Sequence, residues 1–185
     1  MKSHLPLRKP LRWRWSAHSM FYFVVLVICR GSSFTLAAGD RLQIQGVAER
    51  YHSVFHVENI VLYTPRKLTY SEILSAKYNC LMICNYLIHA PEAYYRSTWK
   101  SELKETGASD VSAEAFVAKL PKSVSSGDTL ELEWATVPGL TITFNHQLFG
   151  TFNDPVIFQA VFNTFLGPTA PSGMAAKLLG EPPGS

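Results

Sequence analysis

One arginine, Arg50, has neighbours along the chain that could build a site with it. Glu49, His52 and Glu58 lie close to it in a stretch rich in β-forming residues. An arginine at the mouth of an apolar pocket can hold a carboxylate or a phenolate through two parallel hydrogen bonds, because its guanidinium is planar and always charged. The alternative is a solvated arginine paired with Glu49 or Glu58. Taken alone, these residues favour the solvated ion pair, and both interpretations stay open.

Thr164 is a second candidate for a polar contact, and three aromatic residues are candidates for a pocket wall. Thr164 lies on a predicted helix, where a threonine hydroxyl ordinarily bonds back to the carbonyl four residues earlier. Tyr94, Tyr95 and Trp99 cluster on another predicted helix. Such a cluster is more typical of a core or a pocket wall than of a cofactor site.

No motif in the sequence predicts a cofactor or a metal site. The chain has no phosphate-binding loop, no GxSxG nucleophile motif, no paired CxxC and no dinucleotide fingerprint. His52 and His56 share one predicted strand, where their spacing is about 13 Å, too far for one zinc ion. Cys80 and Cys84 have the same spacing, so they cannot form a disulfide with each other and are predicted to be buried thiols.

The strands that would position Arg50 are predicted from alternating apolar residues. The stretch "RLQIQGVAERYHSVFHVENIVLYT" alternates with one break at Gly46 and predicts a long β-rich run. "AKYNCLMICNYLI" is apolar on both faces and predicts a central strand that is covered on both sides. "TLELEWAT" predicts a half-exposed strand, and "PGLTITFNHQLFGTF" predicts a hairpin about Asn145-His146.

Helices are predicted between and after these strands. "SEILSA" predicts a short helix or turn, and "SDVSAEAFVAKLPK" predicts a full helix. "APEAYYRSTWKSELKETG" predicts another, with one stripe formed by Ala90, Tyr94, Tyr95, Thr98 and Trp99. A later helix starts at Asp154-Pro155, with the aspartate as N-cap, and its apolar stripe is Phe158, Val161, Phe162 and Phe165. This order predicts an α+β domain with an antiparallel sheet and helices on one side.

Residues 1–38 have the order of a secretory signal. They carry six of the 17 basic residues of the chain and none of its 14 acidic residues. The apolar run "MFYFVVLVIC" has about ten residues, against about 20 needed to span a bilayer. Thr35-Leu36-Ala37 fits a small-x-small cleavage site. We expect a cleaved signal peptide and export to the periplasm or the medium, with an uncleaved N-terminal anchor or a start that is not a targeting signal as the alternatives.

The remainder of the chain carries 11 basic and 14 acidic residues, so the sequence pI of 8.8 reflects the leader. A basic surface for nucleic acid is therefore not predicted. We expect one domain over residues 39–181 and a disordered tail over residues 182–185. We expect membrane contact only through the N-terminal segment, and only if that segment is not cleaved.

In their order and spacing, the segments from Leu42 to Gly180 resemble the chalcone isomerase family, especially its exported bacterial chalcone-isomerase-like branch. "GVAERYHSVFHVENIVLYTP" is similar to the family's Gly-x-Gly-x-Arg turn and following strand, with Gly46, Ala48 and Arg50 at the turn positions. "STWKSEL" carries the Trp-Lys pair, "AVFNTFLG" is similar to the late-helix motif and "LLGE" to the branch's closing motif. The resemblance implies an open-faced sandwich, in which a large antiparallel sheet with helices layered on one face encloses a ligand cleft.

Chalcone isomerases close a flavanone ring, and the resemblance carries their roles onto few residues of this chain. Arg50 matches the phenolate-binding arginine, and Thr164 matches the substrate-contacting threonine or serine of the late helix. Phe165 stands where the enzymes often have methionine. Glu58 falls where they place a water-holding threonine, and a carboxylate there would repel a phenolate and could engage Arg50 instead.

The ketone-side residues of the enzymes are not matched. Counted back from Trp99-Lys100, the family's Tyr, Lys and Asn fall on Leu87, Ala90 and Tyr94. Tyr86 or Tyr95 could substitute for the tyrosine if the register shifts by one residue. Loss of this network implies slow or absent ring closure, by analogy with the roughly 10²–10³-fold cost of one lost oxyanion donor.

We therefore expect a chalcone-isomerase-like protein that forms no flavanone and binds a small amphipathic or aromatic ligand, such as a fatty acid, without a cofactor. Arg50 would hold the charged end. The other candidate contacts are Glu58, Tyr94, Tyr95, Thr164 and Phe165, and Arg50 and Thr164 are the candidates should catalysis remain. One alternative is an isomerase of the chalcone isomerase type, an intramolecular lyase, with an unknown substrate. Another is a structural or interaction module of the cell envelope, with Arg50 locked to Glu58 and no open cleft.

Overall fold

The computed structural model describes Phe34–Thr35 and residues 41–181. The predicted tail, residues 182–185, and all of the predicted leader except Phe34–Thr35 lie outside the described residues. No helix in the described part of the chain is long and apolar enough to cross a membrane.

The strands of the described residues hydrogen-bond in chain order, and each is antiparallel to the next. A two-residue strand lies at one edge, beside the longest one. The strands are β1 (Phe34–Thr35), β2 (Arg41–His52), β3 (Phe55–Thr64), β4 (Cys80–Tyr86), β5 (Thr129–Ala135), β6 (Gly139–Phe144) and β7 (Gln147–Phe152).

The helices begin where side chains can cap their free amides. Asp154 accepts a hydrogen bond from the Val156 amide at 2.8 Å and precedes a proline, which confirms the predicted helix start. Thr69 and Glu72 form a capping box at the shortest of the described helices. The helices are α1 (Tyr70–Leu74), α2 (Glu92–Glu105), α3 (Asp110–Ala118), α4 (Pro155–Leu166) and α5 (Met174–Leu179).

The main core lies between one face of the sheet and the helices. Ile60, Leu62 and Met82 of the central strands are fully buried with the aromatic residues Phe158 and Phe162 of α4. A smaller cluster on the alternate positions contains Leu42, Val61, Tyr63 and Leu81. Strand β4 is therefore buried at successive positions, as predicted for a covered central strand. The α+β architecture with helices layered on one face of an antiparallel sheet is confirmed.

The predicted β-rich run from β2 into β3 is a hairpin rather than one strand. Its turn lies at Ser53 and Val54, and Ser53 has a left-handed φ of 56°. The tip contains a serine but no glycine, proline, asparagine or aspartate, so the strongest turn signals were missing. His52 and His56 consequently lie on different strands, and the 13 Å spacing predicted for them was wrong. No metal-ligating cluster of three side chains occurs among the described residues.

The hairpin about Asn145-His146 was visible in the sequence. Both residues have left-handed φ angles, 48° and 65°, which is the geometry of the tight turn that favours asparagine first. Cys80 and Cys84 are buried and unbonded to each other, as predicted. Burial raises the pKa of the Cys80 thiol to about 12, so it is uncharged at neutral pH.

Candidate functional site

A cavity of about 600 Å³ opens between the β2–β3 hairpin and helix α2. Its walls are largely apolar and aromatic, and its volume lies in the range of small-molecule sites. The whole stripe predicted on α2 and just before it lines this cavity, namely Ala90, Tyr94, Tyr95, Thr98 and Trp99. The prediction that these aromatic residues form a pocket wall is thus consistent with where the structure places them.

Arg50 projects from β2 into this cavity and lies between two carboxylates. Register places Glu58 directly opposite it on β3, and the Arg50 Nε lies 3.5 Å from the Glu58 Oε2. The Arg50 Nη1 donates to both carboxylate oxygens of Glu102 on α2, each at 3.4 Å. The side chain of Arg50 is 14% exposed, so the solvated arginine favoured by the sequence is wrong. Glu49 instead accepts a hydrogen bond from Tyr51.

Glu102 is a member of the site that sequence reasoning missed. It lies on the stripe of α2 that carries Tyr95, Thr98 and Trp99, three residues beyond the last of them. Residues three or four apart share a helix face, so this spacing was the available signal. Its pairing with Arg50 joins residues 52 positions apart, and no local pattern indicates such a contact.

The guanidinium of Arg50 is not saturated with hydrogen bonds. Its Nε and Nη2 atoms are buried and have no hydrogen-bond partner among the described residues, and the contact of Nε with Glu58 is an ion pair without hydrogen-bond geometry. The Arg50 Cζ lies 4.9 Å from the ring centre of Phe165, which supports the cation from behind. A buried donor without an acceptor costs free energy, so a ligand oxygen at Nη2 would remove a penalty.

The charges of this cluster affect one another. Burial acts to lower the pKa of Arg50, but Glu58 and Glu102 act in the opposite direction and the pKa is raised, so Arg50 stays cationic. Burial raises the pKa of Glu102; Arg50 opposes this and Glu58 adds to it. With every group ionised, the cluster of Arg50, Glu58 and Glu102 carries one excess negative charge.

Two tyrosines supply a pair of buried hydroxyl groups at the cavity. The hydroxyls of Tyr86 on β4 and Tyr95 on α2 are 2.9 Å apart, and the rings meet edge to face. Burial raises the pKa of both phenols, so both remain protonated. Whichever hydroxyl accepts in their mutual bond keeps its own hydrogen for a ligand. Tyr86 thus joins the site, while Leu87, the position matched by counting, is not part of the lining.

The two candidates on the late helix do not line the cavity. Thr164 is 3% exposed, and its hydroxyl donates to the Val161 carbonyl at 2.8 Å, three residues earlier on the same helix. Phe165, the next residue on α4, faces Arg50 and Trp99 and lies behind the charged cluster. The structure therefore places Thr164 in the core and gives Phe165 an indirect role through Arg50.

The arrangement combines two features that were predicted as alternatives. Arg50 is paired with Glu58, as predicted for a closed structural module. The cavity beside that pair is nevertheless open. Chemically, the site offers an apolar hollow, one cation with unused donors, two carboxylates and a pair of phenols.

The fold of this chain is similar to that of a known protein, and its sequence matches a family model. The fold is similar to the crystal structure of a fatty-acid binding protein of Arabidopsis thaliana, with a TM-score of 0.63 and 14% identity over 80% of this chain and 88% of that one. A likeness at that identity shows the fold alone. Curated proteins gave no match. A family model described as chalcone isomerase-like matches residues 32–180. Since that match spans most of the chain, the protein belongs to the chalcone isomerase-like family.

Proposed function

We propose that the protein binds one small amphipathic ligand with an acidic head, such as a fatty acid, and forms no flavanone. The observation that carries this proposal is the 600 Å³ apolar cavity with Arg50 at its polar end. The aromatic wall of α2 would take the hydrocarbon chain. The free Nη2 of Arg50 and a phenol of the Tyr86–Tyr95 pair would donate to the head group.

Two observations support binding rather than ring closure. Glu58 is buried beside Arg50, where its charge would oppose the ionised phenolate that ring closure requires, whereas a bound acid can keep its proton. The similarly folded protein of Arabidopsis thaliana is described as a fatty-acid binding protein, so this fold can serve binding. An intramolecular lyase of the chalcone isomerase type would need the Tyr86–Tyr95 pair as its proton donor. Turnover in a chalcone absorbance assay that Arg50→Ala abolishes would favour that alternative.

Replacing Thr98 with tryptophan is expected to weaken binding of decanoic acid about tenfold or more, because the indole would fill the cavity beside Trp99. The matched control is Ser97→Trp, one residue earlier on the exposed side of α2. Both native hydroxyls donate to the Tyr94 carbonyl, so the lost hydrogen bond is the same in the two variants. Isothermal titration calorimetry measures the dissociation constants, and equal affinities of the two variants would contradict this location for the ligand.

The leader supports a further proposal, that the protein is exported as in the bacterial chalcone-isomerase-like branch. Cleavage after Ala37 would follow the small-x-small rule. Expression of the full chain in a bacterial host is expected to yield a periplasmic or secreted form that starts just after Ala37, as read by intact mass. Ala37→Phe is expected to retain the precursor, whereas Leu36→Phe, at the permissive middle position, is processed. Equal processing of both variants would argue against this site.

A further inference from the structure

The polar end of the cavity has more acid than base. Arg50 on β2 is the sole cation of the described lining that is charged at every accessible pH, and it already faces Glu58 and Glu102. Glu58 is 4% exposed and the side chain of Glu102 is 30% exposed. A carboxylate ligand would be a third anion around one guanidinium. Like charges held this close in a poorly hydrated site disfavour one another, so one of the three is expected to take a proton.

The surroundings of Glu102 decide where that proton can go. The titratable or charged side chains around it come from four elements: Tyr95 and Glu105 from its own helix, Arg50 and the rim residue His52 from β2, Glu58 from β3, and Cys84 and Tyr86 from β4. Helix α4 adds only the uncharged Phe165, which lies behind Arg50. The phenols and the Cys84 thiol are already protonated, because burial raises their pKa values. Glu58 has 5% of its side chain exposed, so a ligand head group has little room to share a proton with it. Glu102 has 30% of its side chain exposed and lines the cavity, so a head group can contact it directly.

We infer that the cavity takes up a carboxylic acid together with one proton, which Glu102 and the ligand's head group share beside Arg50. The inference rests on the proposed function and adds a specificity rule to it. The site would favour weak carboxylic acids that can carry or share a proton over permanently ionised heads such as sulfates and sulfonates. Glu102 is then the residue that sets this preference, acting in direct contact with the head group.

The sign of the pH dependence follows from proton counting. Where free Glu102 and the free acid are both ionised, the complex holds one proton more than its separated partners. Affinity for the acid therefore falls as pH rises, by up to about tenfold per pH unit. The slope applies above the raised pKa of Glu102 and up to the pH at which the complex itself releases the proton. A neutral head group brings no third charge, so its affinity lacks this slope.

The test is calorimetric titration of the folded protein with decanoic acid, decan-1-ol and decyl sulfate from pH 6 to 8. At pH 7, titration in buffers of different ionisation enthalpy counts the protons taken up. We expect close to one proton for decanoic acid with the wild type and close to none for decan-1-ol. Glu102→Gln is expected to abolish the uptake and to flatten the pH dependence for decanoic acid. Thermal melts establish that each variant is folded.

Two control variants distinguish proton uptake by Glu102 from proton uptake by neighbouring residues. Glu105→Gln removes a carboxylate from the same helix outside the cavity, and His52→Gln removes the imidazole at the rim; both are expected to keep the proton uptake. Decanoic acid that binds the wild type without proton uptake overturns the inference and leaves the proposed function standing. Uptake that persists in Glu102→Gln also overturns it. Failure of both decanoic acid and decan-1-ol to bind contradicts the proposed function instead.

Discussion

Replacing Arg50 with methionine is expected to lower the free energy of unfolding by about 3–5 kcal/mol at neutral pH. Glu58 is 4% exposed and would be left without its cation in a poorly solvated place. Methionine preserves the apolar stem that packs on Phe165, so the loss reports the charge more than the volume. Urea unfolding followed by tryptophan fluorescence measures the change.

Two controls separate this effect from the general loss of an arginine. Arg66→Met breaks the exposed pair of Arg66 with Glu72 and is expected to change the free energy of unfolding much less than Arg50→Met, because solvent screens that pair. The double variant Arg50→Met/Glu58→Gln removes the unpaired charge and is expected to recover a large part of the loss. If Arg50→Met proved as mild as Arg66→Met, the buried pair would not contribute to folding as inferred.

Replacing Gly46 with alanine is expected to lower the free energy of unfolding by about 3 kcal/mol, which is a fall in Tm of roughly 6–12 °C. A methyl group at Gly46 would collide with the backbone carbonyl oxygens of Lys177 and Leu178 on α5. Backbone atoms cannot rotate away, so α5 must move off β2 and give up its packing. Differential scanning calorimetry measures the shift in Tm.

The matched control for Gly46→Ala is Gly150→Ala, which also adds a methyl group to a strand. That methyl would meet the Lys119 side-chain carbons Cγ and Cδ at 3.0 Å, and a lysine side chain can shift at small cost. The expected loss is below about 1 kcal/mol. Similar losses for the two variants would show that the collision with α5 is relieved more easily than the geometry indicates.

The elements that were predicted correctly are those whose signals are local. Asp154 and Pro155 start a helix through bonds to amides one turn away, and Asn145-His146 forms a turn within four residues. The alternation of "TLELEWA" matches the burial of β5 residue by residue. The turn at Ser53 was missed because serine is a weak turn signal and Val54 has no turn preference, although Ser53 adopts a left-handed φ there.

Side chains at the site depended on contacts between distant elements. Thr164 and Phe165 are adjacent on α4, yet one bonds to its own helix and the other supports Arg50. The resemblance to a family identified both residues as candidates, but it did not indicate which way each side chain of α4 faces. Glu102 was missed because nothing near it in sequence indicates that α2 lies against Arg50.

By itself, the sequence determined the α+β class, the positions of most helices and strands, the family, and the choice of Arg50 as the main candidate site residue. Those properties follow from periodicity, caps and ordered motifs, which depend on neighbours along the chain. The tertiary structure alone decided that Arg50 is buried between two carboxylates at the end of an apolar cavity. Burial and pairing set the charge and the free donors of that arginine, and both arise when β2, β3 and α2 meet in space.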